Sequence, residues 1–200
     1  MPFLDLPPQM QERVVCSISA AVKYEVAANV VLAVDEKEGG KPGQWVRNSN
    51  GTYDVGYMQA NTRYLADLAR YGIKPEHVAA AGCYSHDLAA WRIRMHIKKD
   101  SGDLWTRASN YHSRTPAINA VYRADLIRRA VKWADWLEAR FPTHNVLAPD
   151  TQQRAARVPV TIVAAVPAAP AAPAAKPQAS PRIWPTPSYV PRKLLVSAEP

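Results

Sequence analysis

The run from Val26 to Val34 most constrains this chain. It is apolar apart from Asn29, and it is followed at once by Asp35-Glu36-Lys37-Glu38 and then Gly39-Gly40. Nine residues are too few to span a bilayer, which takes about 20. The run therefore predicts a helix, from about Val26 to Glu38, buried inside a helical domain and stopped by the glycine pair. A carboxyl at the end of such a helix is desolvated. Desolvation raises its pKa and keeps it protonated near neutral pH, as a general acid requires. The same pattern also fits an ordinary helix-terminal acid, so position alone leaves Glu38 open.

The flanking pattern predicts a mainly α, α+β domain with one small hairpin. A helix is expected from about Gln9 to Tyr24, with Val14, Ile18, Ala21 and Val22 on one face. Asn48-Ser49-Asn50-Gly51-Thr52 is a hairpin turn signal. Helical pattern resumes at Asn61 or Thr62, either of which could cap it, with Leu65, Leu68 and Ala69 inward. Pro75 starts a short helix, and Ser85 is the expected cap of the next, with Leu88, Trp91, Arg92 and Met95 on one side. Another helix is expected over 103–111. Thr115-Pro116 opens a long one to about Phe141, striped by Ile118, Val121, Tyr122, Leu126, Ala130, Trp133 and Leu137.

Composition changes near Pro149. Ten of the 18 prolines follow it and none of the 8 glycines does. Pro167-Ala-Ala-Pro170-Ala-Ala-Pro173 reads as an extended spacer, and the end carries Ile183-Trp184-Pro185, Tyr189 and Arg192-Lys193. The expected division is an N-terminal segment 1–9, a domain 10–145 and a disordered, flexible Pro/Ala-rich C-terminal tail 146–200. The net charge of +8 is shared equally between 1–149 and 150–200. It suits any polyanion, but no nucleic-acid motif accompanies it. No stretch reads as a membrane span. Met1 to Asp5 lacks the basic and apolar regions of an export signal.

Asp54 lies 16 residues beyond Glu38, at the far side of the expected hairpin. Two carboxyl groups flanking a cleft are what glycosidic cleavage uses, although Asp54 could equally serve only a turn. Cys16 and Cys83 could form one disulfide or stay as buried thiols. The five histidines show no metal-ligand spacing, so no metal and no cofactor are expected. Trp91, Trp105, Trp133 and Trp136 fall at core spacing, whereas Trp45, in the loop beside the cleft, is the better sugar-stacking candidate.

The ordered set Glu38-Gly39-Gly40, then Gly56-Tyr57-Met58-Gln59-Ala60-Asn61, then Tyr111-His112-Ser113-Arg114-Thr115-Pro116 resembles the catalytic core of soluble lytic transglycosylases, within the lysozyme-like superfamily. The third motif is most similar to the conjugation and type IV secretion branch. The resemblance covers about residues 10–140. It implies a lysozyme-like fold and cleavage of the β-1,4 bond between N-acetylmuramic acid and N-acetylglucosamine, leaving a 1,6-anhydro-muramoyl end. Glu38 would be acid and then base. Ser49, Gly56, Tyr57, Met58, Gln59, Asn61, Tyr111 and His112 would contact glycan, with Gln59 hydrogen-bonding sugar and Tyr111 positioning the glutamate. Tyr57 replaces the usual leucine, His112 the usual asparagine and Arg114 a frequent glycine.

The resemblance also implies a Cys16–Cys83 disulfide, hence an oxidising compartment, periplasmic or cell-wall-associated. Glycan strands are the implied partner, with a secretion or conjugation apparatus reached through the tail. The stretch from Arg47 to Gln59 is similar to animal-type lysozymes too, whose catalytic aspartate falls at Asp54. That implies an alternative hydrolase using Glu38 and Asp54. A non-catalytic wall-binding module is the third expectation.

Overall fold

The computed structural model describes residues 5–146 and 191–194. Among the described residues there are seven α-helices, α1 (Pro8–Lys23), α2 (Ala28–Glu38), α3 (Thr62–Leu68), α4 (Pro75–Ala79), α5 (Tyr84–Lys99), α6 (Leu104–Ser109) and α7 (Pro116–Glu138), and a small antiparallel sheet to one side, packed on α3 and α4. The domain is mainly helical, as the sequence leads one to expect. No described helix is long and apolar enough to cross a membrane.

Helix α2 is the centre. Every residue from Ala28 to Asp35 is buried. It lies against α1, α5 and α7. A helix apolar on all sides is stable in water only when covered on all sides. Gly39 ends it in the left-handed region (φ 60°), its N–H bonded to Asp35 O at 3.0 Å. Gly40 then meets the 56–57 backbone. A Cβ there would lie 2.0 Å from the Gly56 carbonyl oxygen, so only glycine fits.

That close approach seats the sheet against the end of α2. Its strands are β1 (Trp45–Arg47), β2 (Tyr53–Val55) and β3 (Ala60–Asn61), with Val46 opposite Asp54 and Asp54 opposite Asn61. The hairpin was legible from its turn. The two-residue β3 is too short to show any alternation in sequence. Asn61 caps α3 by accepting the Arg63 N–H at 3.0 Å.

Two expected faces are turned. Ser85 does not cap α5; its hydroxyl accepts the Met58 N–H at 3.2 Å, and the buried face of α5 runs through His86, Ala89, Ala90 and Ile93. Trp91, Arg92 and Met95 are half-buried beside it. On α7, Asn119 points inward, because its amide donates to Thr106 O (3.0 Å), Asn110 Oδ1 (2.8 Å) and Ser113 O (3.1 Å). Turning Asn119 inward turns Ile118 and Val121 outward, to 48% and 76% exposure. The rest of the expected stripe, Tyr122, Leu126, Ala130, Trp133 and Leu137, is buried.

A second sheet was not expected. β4 (Thr143–Asn145) pairs antiparallel with β5 (Arg192–Leu194), which belongs to the segment expected as tail. It explains the one polar residue in the apolar run. Asn29 is 0% exposed, donates to Ala130 O at 3.2 Å and accepts the Arg192 N–H at 2.9 Å. A buried amide needs both partners. The Pro/Ala spacer and the aromatic residues 183–189 lie outside the described residues.

Cys16 and Cys83, 67 positions apart in sequence, form a disulfide with Cα atoms 4.9 Å apart. It ties α1 to the start of α5. The double variant Cys16→Ser, Cys83→Ser is expected to lose roughly 4 kcal/mol of stability in urea unfolding, because the released loop is long.

Candidate active site

Glu38 occupies the last position of α2, half-buried. Burial pushes its carboxyl pKa up to about 7, and the nearby charge of Asp54 adds to the rise. Opposing it, the Tyr122 hydroxyl donates to Glu38 Oε1 at 2.7 Å, and Lys37 and Arg92 lie close enough to favour the ionised form. The carboxyl is thus poised between proton donor and acceptor at neutral pH, where general acid–base catalysis is most effective.

Tyr122 is buried, and burial, with the neighbouring Glu38, raises its own pKa well above the usual phenol value, so it remains a donor. The His112 ring stacks on it, centroids 4.6 Å apart and 6° from parallel. Partial burial of its ring and the nearby Lys37 charge lower the His112 pKa, favouring neutral imidazole. Together with Lys37, Ala117, Ile118 and Val121, these two rings line a cavity of about 450 Å³.

Asp54 stands on the central strand of the sheet. Its Oδ1 accepts from Asn61 Nδ2 at 2.8 Å, and the same amide donates to Thr52 Oγ1 at 2.9 Å. Asn61, expected to contact glycan, holds Asp54 and caps α3.

The Gly56–Gln59 loop is placed by its backbone. Gly56 has φ 69°, and a Cβ there would sit 2.4 Å from Val78 O. Gln59 (φ 45°) donates its amide to Gly56 O at 2.8 Å. The side chains of Tyr57 and Met58, expected to line the cleft, are buried in the core. Tyr57 lies under the Arg13 guanidinium, 5.4 Å from its ring centroid, and beside His86.

Tyr111, expected to position the glutamate, donates instead to Met58 O at 2.6 Å, with the Arg92 guanidinium 4.8 Å from its ring centroid. It anchors the loop. The phenol bonded to Glu38 comes from α7. Sequence reasoning had Tyr122 in the core stripe, and only the packing of α7 on the end of α2 distinguishes it from its neighbours there. Ser49 is exposed in the β1–β2 turn.

Trp105 and Trp133 are buried, and Trp133 donates to Glu36 Oε2 at 2.8 Å. Trp136 is half-buried, and so is Trp91, which lines a separate cavity of about 500 Å³ away from Glu38. Trp45 is 42% exposed, edge-on to Tyr53. Among the described residues no three His, Cys, Asp or Glu side chains are grouped to hold a metal ion.

No family model matches the chain. It is 28% identical to the X polypeptide of Escherichia coli (strain K12) over 103 residues, 49% of this chain and 58% of that protein. It is 25% identical to Invasion protein IagB of Salmonella typhimurium (strain LT2) over 118 residues, 58% of this chain and 71% of that protein. The match thus spans little more than half the length of X polypeptide.

The raised Glu38 pKa has a consequence for stability. The folded state keeps this proton up to about pH 7, whereas the unfolded chain loses it near 4.5. Between those values the unfolded state binds fewer protons, so the Glu38 contribution to stability falls as pH rises. Glu38→Gln is therefore expected to raise the melting temperature relative to the parent at about pH 8 and to leave it nearly unchanged at about pH 4. Thermal melts at the two pH values check this.

Proposed function

We propose that the protein is a peptidoglycan lytic transglycosylase with Glu38 as its single acid/base. The observation that carries this reading is the Glu38 carboxyl itself. Its pKa is pushed up to about 7 by burial, and it is hydrogen-bonded by Tyr122, which itself lines a cavity of about 450 Å³. The motif order in the sequence supplies the substrate class.

In the proposed reaction Glu38 gives its proton to the glycosidic oxygen as the bond from C1 of N-acetylmuramic acid breaks. The resulting carboxylate takes the proton of the muramoyl 6-hydroxyl, whose oxygen closes onto C1. No water is consumed, and Glu38 ends as it began. Asp54, held by Asn61, supplies negative charge to the electron-poor ring. Tyr122 fixes the carboxyl and lowers the cost of its anion.

The Cys16–Cys83 disulfide supports an oxidising compartment, in keeping with periplasmic or wall-associated work. Service to a secretion or conjugation apparatus rests on the third motif, Tyr111 to Pro116, and its likeness to that branch of the family. A second reading, a lysozyme-like hydrolase, is favoured by one observation: Asp54 is close enough to Glu38 to raise its pKa.

Mass spectrometry of fragments released from purified sacculi decides between them. The transglycosylase releases 1,6-anhydro-muramoyl products, lighter by one water than hydrolytic ones. Glu38→Gln is expected to lower their rate by about 10²- to 10⁴-fold. Tyr122→Phe should keep the product and move the upper limb of the pH–rate profile upward, since a bond favouring the anion is lost. Free reducing ends that disappear in Asp54→Asn would establish the hydrolase instead. Sacculi bound with no Glu38-dependent product would leave a wall-binding module.

A further inference from the structure

A cavity of about 500 Å³ opens between α5, the end of α1 and the 68–73 segment. None of the groups that act on Glu38 lines it. Four aromatic rings do: Tyr24, Tyr71, Tyr84 and Trp91. Tyr71 is 66% exposed and Tyr84 41%. Each ring is already held by a neighbour. The Tyr24 hydroxyl donates to Asp87 Oδ2 at 2.8 Å. The His77 ring stands at 87° to Tyr84, with centroids 6.4 Å apart. The Arg70 guanidinium lies 4.9 Å from the Tyr71 centroid, and Trp91 packs on the apolar cluster around Leu65 and Leu68. Rings fixed in advance lose little freedom when a ligand lands on them.

Three of the four rings are phenols. A wall for a fatty ligand has no need of hydroxyls, whereas a ring-shaped ligand edged with hydroxyl and amide groups uses both the aromatic face and the phenol. The charges narrow the choice further. Arg70 and Lys99 also line the cavity, and neither has a carboxylate partner among the described residues. Asp87, the carboxylate of the lining, is already paired with Lys23 at 2.8 Å. The cavity is therefore net positive. That disfavours the chain's own Pro/Ala-rich stretch as its occupant, since residues 147–190 hold four cations and a single carboxylate. An anionic ligand fits instead.

Resting on the proposed reaction, we propose that this cavity is a second glycan site, remote from Glu38, for an acidic amino-sugar strand. The strand is one of N-acetylglucosamine and N-acetylmuramic acid whose lactyl carboxylates are free. Its pyranose faces lie on the Tyr71, Tyr84 and Trp91 rings, and its carboxylates pair with Arg70 and Lys99. Wall polymer held there tethers the enzyme and raises the concentration of strands at the cleft.

The test is nitrogen-15 NMR of the full chain carrying Glu38→Gln, so that ligand survives. One titration uses the tetrasaccharide of alternating N-acetylglucosamine and N-acetylmuramic acid. The other uses chitotetraose, which has the same rings and no carboxylate. The acidic sugar is expected to shift the Trp91 indole and the Tyr71 and Tyr84 amides, in an event separate from that at Tyr122. Chitotetraose is expected to bind there about tenfold more weakly, the size of a lost charged contact. Tyr71→Ala, and Arg70→Gln with Lys99→Gln, should each weaken the Trp91 response about tenfold and keep that at Tyr122. All three side chains are exposed, and the spectrum itself reports whether the variants fold. No shift at Trp91, equal binding of the two sugars there, or a Trp91 response untouched by these substitutions overturns the site. A Trp91 response in a protein whose parent cleaves no sacculi keeps the site and removes the transglycosylase. Glu38-dependent cleavage without a Trp91 response does the reverse.

Discussion

Helix α2 has no side open to water between Ala28 and Asp35, and the domain is arranged around keeping it so. Helices α1, α5 and α7 pack on it, and β5 lies near its first turn. Covering an apolar helix on every side supplies much of the hydrophobic stabilisation available to a domain of this size. The same enclosure acts on the residue at the helix end. Glu38 emerges where the cover is incomplete, so its carboxyl is desolvated yet reachable. The force that folds the domain is thus also the force that holds the proton.

Placing chemistry beside that carboxyl needs other backbone to come very close. Gly40 removes the Cβ that would block the Gly56 carbonyl, and the sheet then brings Asp54 within electrostatic reach. From the opposite side α7 delivers Tyr122. Three polar contacts keep these pieces in register: Ser85 on Met58 N and Tyr111 on Met58 O, both buried, and the half-buried Asn61 on Asp54. At the other end of α2, Asn29 is satisfied by Ala130 and by the backbone of β5. Strand β5 therefore contributes to the cover of the same helix.

What could be read from sequence was local. The buried helix, its glycine stop, the hairpin turn and the two carboxyl positions each follow from a few adjacent residues. The orientation of α5 and α7 did not. Ser85 and Asn119 are bound to backbone groups distant in sequence, and those bonds rotate the helices away from the face that hydrophobic spacing favours. The burial of Tyr57 and Met58 and the bond of Tyr111 to Met58 O were not legible for a related reason. A motif gives residues in order, but the loop at Gly56–Gln59 turns Tyr57 and Met58 into the core. Strand β5 is three residues long and separated from its partner β4 by more than forty positions, so no local pattern could announce it.

The central claim is that burial keeps a proton on Glu38 at neutral pH. A titration of the Glu38 side-chain carboxyl by carbon-13 NMR, assigned with Glu38→Gln, tests it most directly. The account predicts a midpoint at about pH 7. A midpoint near the ordinary glutamate value of about 4.3 would show that the carboxyl is ionised where the proposed chemistry needs it protonated, and would contradict the account.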